Sequence, residues 1–228
     1  MSRLLFVPLV NWLFLGMLLT GSGGARAADP MQEELSRIQH QWAIIKYRTA
    51  RQSQEKAFEQ LVNEAHRLSE RFPNRAEPLV WESIVLSSHA GSLSGFAKMG
   101  ALDEVKRARD LLITAEKIDP NVLDGSVYTS LGTLYYKVPG WPFGFGSNEK
   151  AEQYLKKALQ LNPNGIDPNF FYGELLYEKG DYDGALKVLE KARKAPPRPS
   201  RKLADEGRRK EIEALIANVR EAKKRDTI

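Results

Sequence analysis

Residues 166–199 read IDPNFFYGELLYEKGDYDGALKVLEKARKAPPRP, the one uninterrupted stretch from which a complete helical hairpin can be predicted. Tyr172, Gly173 and Leu176 share one face of a first helix. Gly180 marks a turn, and Ala185, Leu189 and Ala192 share one face of a second, which Pro197 cannot continue. Gly173, Ala185 and Ala192 are small enough to let two helix backbones approach closely, while Tyr172, Leu176 and Leu189 fill the space between neighbouring hairpins. The pattern serves packing rather than chemistry.

The second helix of this hairpin recurs twice upstream. Ala151, Leu155, Ala158 and Pro163 repeat the offsets of Ala185, Leu189, Ala192 and Pro197, and Ala108, Leu112, Ala115 and Pro120 repeat them again. Three copies predict three stacked hairpins over residues 77–199, and a stack of this kind is an interaction surface far more often than a catalyst. The first two copies are stretched at one turn. Gly173 precedes Ala185 by 12 residues, whereas Val85 precedes Ala108 by 23 and Gly132 precedes Ala151 by 19. The added chain forms two loops, residues 89–100 and 137–148. Because they interrupt the same turn of successive hairpins, they are expected to share one rim. The second carries Trp141, Phe143 and Phe145 among Pro139, Gly140, Pro142, Gly144 and Gly146. Rings on such a loop either form a lip for a partner or fold back as a plug over the hairpin ends. Ser147 or Asn148 reads as the cap of the helix that follows, with Glu149 in its first turn.

Upstream, residues 28–76 predict a less regular hairpin that caps the stack. Ile38, Trp42, Ile44 and Ile45 mark one stripe, and Phe58, Leu61, Ala65, Leu68 and Phe72 another; Trp42 is expected to be buried. Downstream, residues 200–228 predict a basic helix that lays Leu203, Ile212, Leu215, Ile216 and Val219 on the last hairpin as a C-terminal cap. From Lys191 onward 13 Lys and Arg stand against 6 Asp and Glu, a net of +7. Residues 28–190 are slightly acidic, with 19 basic against 23 acidic side chains. Such an arm can attract anionic lipid head groups, although a solvated helix end is the simpler expectation, and nucleic acid is the least expected partner of an exported chain.

Residues 1–27 predict a cleaved secretory signal. Arg3 precedes an apolar run from Leu4 to Leu19, and Ala25-Arg26-Ala27 forms a processing site. The expected mature chain is periplasmic or secreted, with no transmembrane span after cleavage. No cysteine is present, so it carries no lipobox and is not a lipoprotein, and it has neither a disulfide framework nor a thiol nucleophile. His40, His66 and His89 are isolated, and no nucleophile elbow or dinucleotide fingerprint occurs. No cofactor, metal or enzymatic activity is expected.

The repeated residues resemble the tetratricopeptide-repeat (TPR) family. The resemblance implies an all-α, right-handed superhelical solenoid whose first helices line a groove that binds a protein or peptide partner. By matching positions that groove would include Glu82, Leu86 and His89, then Thr129, Thr133 and Tyr136, then Phe170, Glu174 and Tyr177. The basic and asparagine set with which some TPR proteins clamp a peptide's terminal carboxylate is absent from these positions. The stretch PGWPFGFGSNEKAEQYLKKAL is also similar, more loosely, to the TPR-like T component associated with periplasmic TRAP-type transporters. That resemblance implies an accessory role in solute transport, with a small apolar ligand under the inserted loops. Those proteins are typically lipoproteins, from which the missing cysteine departs.

Overall fold

The computed structural model describes residues 29–95 and 100–226, and every regular element among them is helical. The predicted secretory signal and the centre of the first inserted loop lie outside the described residues. The helices are α1 (Pro30–Arg48), α2 (Arg51–Arg71), α3 (Ala76–Ser92), α4 (Ala101–Ile118), α5 (Val122–Lys137), α6 (Asn148–Leu161), α7 (Ile166–Glu178), α8 (Tyr182–Arg193) and α9 (Lys202–Asp226). A short 3₁₀ turn, Pro199–Arg201, leads into α9.

Local chemistry sets several of these boundaries. Asp29 accepts a hydrogen bond from the Met31 amide at 3.1 Å, and Pro30 follows it at the first helical position, where its missing N–H costs nothing. Ser147 caps α6, accepting from the Lys150 amide at 3.3 Å. Gly180 ends the α7 turn at φ +79°, and Asp181 caps α8 through the Gly184 amide at 2.9 Å. The start of α5 is less regular. Leu123, Asp124 and Gly125 all lie in the left-handed region, at φ 49°, 54° and 78°, and only the third is a residue that takes this conformation freely.

Helices pack as antiparallel neighbours, α1 on α2, α3 on α4, α5 on α6 and α7 on α8. The repeated triplets occupy the contact lines. Ala108, Leu112 and Ala115, then Ala151, Leu155 and Ala158, then Ala185, Leu189 and Ala192 are all fully buried. A Cβ on Gly132 would stand 2.6 Å from Leu155 Cγ, and one on Gly173 would stand 2.7 Å from Leu189 Cγ, so the glycines mark where the two helices of a hairpin come closest. Between hairpins, the first helices form a row, with α1 against α3, α3 against α5 and α5 against α7. No comparable row forms among the second helices, so the stack bends with its first helices on the inner side. This is the arrangement of a TPR solenoid.

The C-terminal helix departs from the sequence expectation. Ile212, Ile216 and Val219 do pack on α7 and α8, within the cluster of Ile166, Phe170, Leu189 and Ala192. The first part of α9 instead leaves the last hairpin and packs on α1, where Ala204 and Leu203 join the cluster of Met31, Leu35, Ile38 and Trp42. It therefore crosses the inner row and bridges the first and last described hairpins.

Candidate functional site

Two regions collect the chemistry of the molecule: the inner row that α9 crosses, and the loop between α5 and α6.

In the inner row the segment 198–211 brings arginines onto the first helices. Arg208, nearly buried, lies over the rings of Phe170 and Phe171 at 4.4 and 4.5 Å. Its Nε donates to Asp167 Oδ1 at 2.9 Å, and a terminal nitrogen donates to Glu211 Oε2 at 2.7 Å. Arg198 takes the other Asp167 oxygen at 2.8 Å and wraps Asp205 with Nε at 2.9 Å, a terminal nitrogen at 2.6 Å and its own backbone amide at 2.8 Å. Burial alone would raise the Asp167 pKa, but Arg208, Arg198 and Arg201 outweigh it and hold the carboxyl at about 2. From α1, the Tyr47 hydroxyl donates to Glu211 Oε2 at 3.2 Å, and burial pushes that phenol well above its ordinary pKa. Gly207 of α9 lies against the Tyr47 ring, where a Cβ would approach to 2.4 Å. Arg209 finishes the seam by donating to the Arg193 and Ala195 carbonyls at the end of α8.

This occupation changes the status of several groove residues expected from sequence. Phe170 is buried beneath Arg208 instead of facing an open groove. Thr129 is buried as well, its hydroxyl donating to the Gly125 carbonyl at 3.4 Å. Glu82 is 0% exposed. It accepts from Ser69 Oγ and Arg107 and lies 3.0 Å from His66 Nδ1, so α3 turns it toward α2 and α4, where donors for a buried carboxylate stand. His89 is not in a loop, because α3 continues to Ser92, with the Leu93 amide bonding the His89 carbonyl at 3.2 Å. Its Nδ1 faces Glu104 of α4 at 2.9 Å. The remaining predicted residues are partly open. Thr133 donates to the Thr129 carbonyl at 2.7 Å, and Tyr177 leans on Tyr182 with ring centres 6.1 Å apart. Tyr136 donates to Glu174, which also takes Lys137 Nζ at 2.5 Å, and burial together with that carboxylate pushes the Tyr136 pKa well up.

The second loop occupies residues 138–147, close to the expected span, and its three rings divide between one that packs inward and two that are exposed. Phe145 folds inward as a plug. It meets Tyr135 edge to face at 5.6 Å, and Arg109 of α4 lies over its face at 4.6 Å. Tyr135 in turn stacks on Tyr154 at 5.7 Å, so aromatic packing fills the space below. The backbone is tied to α5 and to itself, the Ser147 amide bonding the Tyr135 carbonyl at 2.8 Å and the Gly146 amide the Pro139 carbonyl at 2.9 Å. A Cβ on Gly146 would stand 1.9 Å from the Val138 carbonyl oxygen, so no side chain fits there. On this footing Trp141 is 90% exposed and Phe143 76% exposed.

Sequence reasoning missed Tyr47, Asp167, Asp205 and the arginines of 198–208 as one assembly. The available signals were an unexplained Gly207 inside a charged helix and three arginines set among prolines and acids. Among the described residues no three His, Asp or Glu side chains converge as a metal site, and no helix is long and apolar enough to cross a membrane.

A tetratricopeptide-repeat family model matches residues 143–204, from the tip of the second loop through α6, α7 and α8 to the first turn of α9. Over those residues the sequence carries a tetratricopeptide repeat. As a TPR fold it is similar to a thermophilic TPR protein in Thermus thermophilus, with 16% identity over 83% of this chain and 98% of that one and a TM-score of 0.53. The pilF structure of Pseudomonas aeruginosa aligns over 84% of this chain and 90% of its own at 19% identity, but its TM-score of 0.34 carries no weight. No curated protein sequence matches the chain. The TPR architecture is that of a protein-interaction scaffold in general.

Proposed function

We propose that this TPR chain is an exported adaptor that binds a protein or peptide partner in the cell envelope through the Trp141–Phe143 tip. The supporting observation is the contrast within one loop. Phe145 and the tied glycine backbone hold the footing, while two large rings project into solvent at a cost that a monomer has no packing reason to bear. Thr133, Tyr136, Glu174 and Tyr177, beside the part of the inner row that α9 leaves partly open, would extend the contact. The export half of the proposal rests on the signal-like residues 1–27, and a basic tail from Lys223 to Arg225 could add contact with anionic lipid.

The second reading, an accessory subunit of a solute transporter, needs an apolar chamber beneath the loop. Packing of Phe145, Tyr135 and Tyr154 at that position argues against it. The test is a photoreactive residue at position 141 in cells. It is expected to crosslink a discrete envelope protein, and Phe143→Ala in the same chain is expected to abolish the product at unchanged protein level. Crosslinks that survive Phe143→Ala, or a chain recovered in the cytoplasm with residues 1–27 attached, would overturn the proposal.

A further inference from the structure

Three arginines enter the inner row on segment 198–208, and only two of them find carboxylates. Both oxygens of Asp167 are engaged by Arg198 and Arg208, and both oxygens of Asp205 by Arg198. Arg201 is left over. Its guanidinium lies over the Trp81 ring at 4.7 Å, and among the described residues it makes no hydrogen bond or ion pair. Its Nε is hidden from solvent with no partner at all. Burial pushes the Arg201 pKa down and neighbouring Arg198 adds to the effect, with Asp167 and Asp205 acting in the other direction. An arginine does not relieve such a situation by losing its proton, so its charge stays and its Nε–H stays unmet. The terminal nitrogens of Arg201, which make no hydrogen bond among the described residues either, are the part of the fork left for an arriving acceptor.

Arg201 forms one wall of a cleft of about 330 Å³ between α1 and the start of α9. Gln39 and His40 of α1 and Ser200 and Lys202 beside Arg201 complete the polar lining. The one carboxylate on it, Glu206, is turned toward Arg48 at 3.6 Å, which offsets its charge. The first turn of α9, the positive end of its dipole, borders the same cleft. The lining is therefore rich in donors and net positive, and one of its donors is a planar fork that lies over the Trp81 ring.

We propose that this cleft is a binding site for a small soluble oxyanion, a phosphate or carboxylate group received by the Arg201 fork with Lys202 as its second charge. The two terminal nitrogens of the guanidinium take the anion by paired hydrogen bonds while Trp81 backs the group, and Ser200, Gln39 and His40 contact the remaining oxygens or the body of the ligand. Occupancy completes the coordination that Asp167 and Asp205 give to the other two arginines. The site is separate from the Trp141–Phe143 tip and does not depend on the adaptor reading.

The test is titration of the full chain with inorganic phosphate, glycerol 3-phosphate and succinate at constant ionic strength, with chloride as the control. Heat is read by calorimetry and the Arg201 Nε–H resonance by NMR. Saturable one-site binding of at least one of the three anions is expected, with the Arg201 resonance shifting in step. Tight binding of the two phosphates over succinate assigns a phosphate group, and the reverse order a carboxylate. Arg201→Met, which leaves an apolar chain over Trp81, is expected to weaken binding at least roughly tenfold, as loss of a charge-assisted hydrogen-bond pair should. Arg201→Lys keeps the charge without the fork and should fall between. Absence of saturable binding for all three anions, or affinity unchanged in both variants, overturns the proposal. Thermal melting of each variant shows that it is folded.

Discussion

Arg201 and Arg208 lie seven residues apart on one segment, each over an aromatic ring of an inner-row helix, yet they stand in opposite electrostatic conditions. Arg208 is matched at both ends of its fork by Asp167 and Glu211, and through Glu211 it reaches Tyr47 of α1. Arg201 has a ring and no carboxylate. A stacked arginine with acids on hand is a fastening. The same side chain without them is a socket, because its unmet donors are the part a ligand would use.

The sharpest way to break this contrast is to remove each guanidinium in turn. Arg208→Ala removes a buried guanidinium and takes one donor each from the half-buried Asp167 and Glu211, and is expected to cost about 3 kcal/mol, or roughly 6–12 °C in melting temperature. Arg201→Met removes a guanidinium that makes no hydrogen bond or ion pair and feels Asp167 and Asp205 only through space, and should lie within about 0.5 kcal/mol of the wild-type chain in urea unfolding. Equal losses in the two variants would erase the distinction.

A second handle is acid. Asp167 is held at about 2 against an ordinary 3.8, so its folded-state pKa is depressed. Its contribution is fully present above pH 3.8 and is lost as pH falls from there toward 2, amounting to about 2 kcal/mol at neutral pH. Asp167→Asn should be less stable at pH 7, and its stability should fall less steeply than that of the wild type between about pH 4 and 2. Parallel acid limbs would mean that the fastening lies elsewhere.

The smallest effect concerns the approach of α9 to α1. Gly207→Ala gains about 1 kcal/mol of helix propensity but drives a Cβ into the Tyr47 ring, where overpacking costs about 1–3 kcal/mol. A net loss of about 1 kcal/mol, read from the urea midpoint at unchanged slope, is expected, and a stabilised variant would show that the two helices do not meet there in solution.

What could be read from sequence followed from distance along the chain. The Ala-Leu-Ala triplets report contacts between helices of one hairpin, and their period alone places Leu112, Leu155 and Leu189 at the centre of the stack. Ser147 as a cap and Phe145 as a plug are likewise local events. Glu82 misled because its repeat position faces a groove in an even stack, whereas His66, Ser69 and Arg107 from two other helices draw it inward here. The α9 crossing was hidden for the same reason. Its apolar residues do fit the last hairpin, and nothing within residues 200–226 reveals that the Tyr47 ring, far earlier in the chain, lies against Gly207.

The hold of α9 on both α1 and α8 has a consequence for how the molecule comes apart. Stacked repeats ordinarily fray inward from their extremities, each unit leaning only on the next. Here neither extremity can loosen without releasing the strap that secures the other. Amide exchange in α1 and in α8 should therefore report a single opening free energy, as in a coil whose two ends have been knotted together.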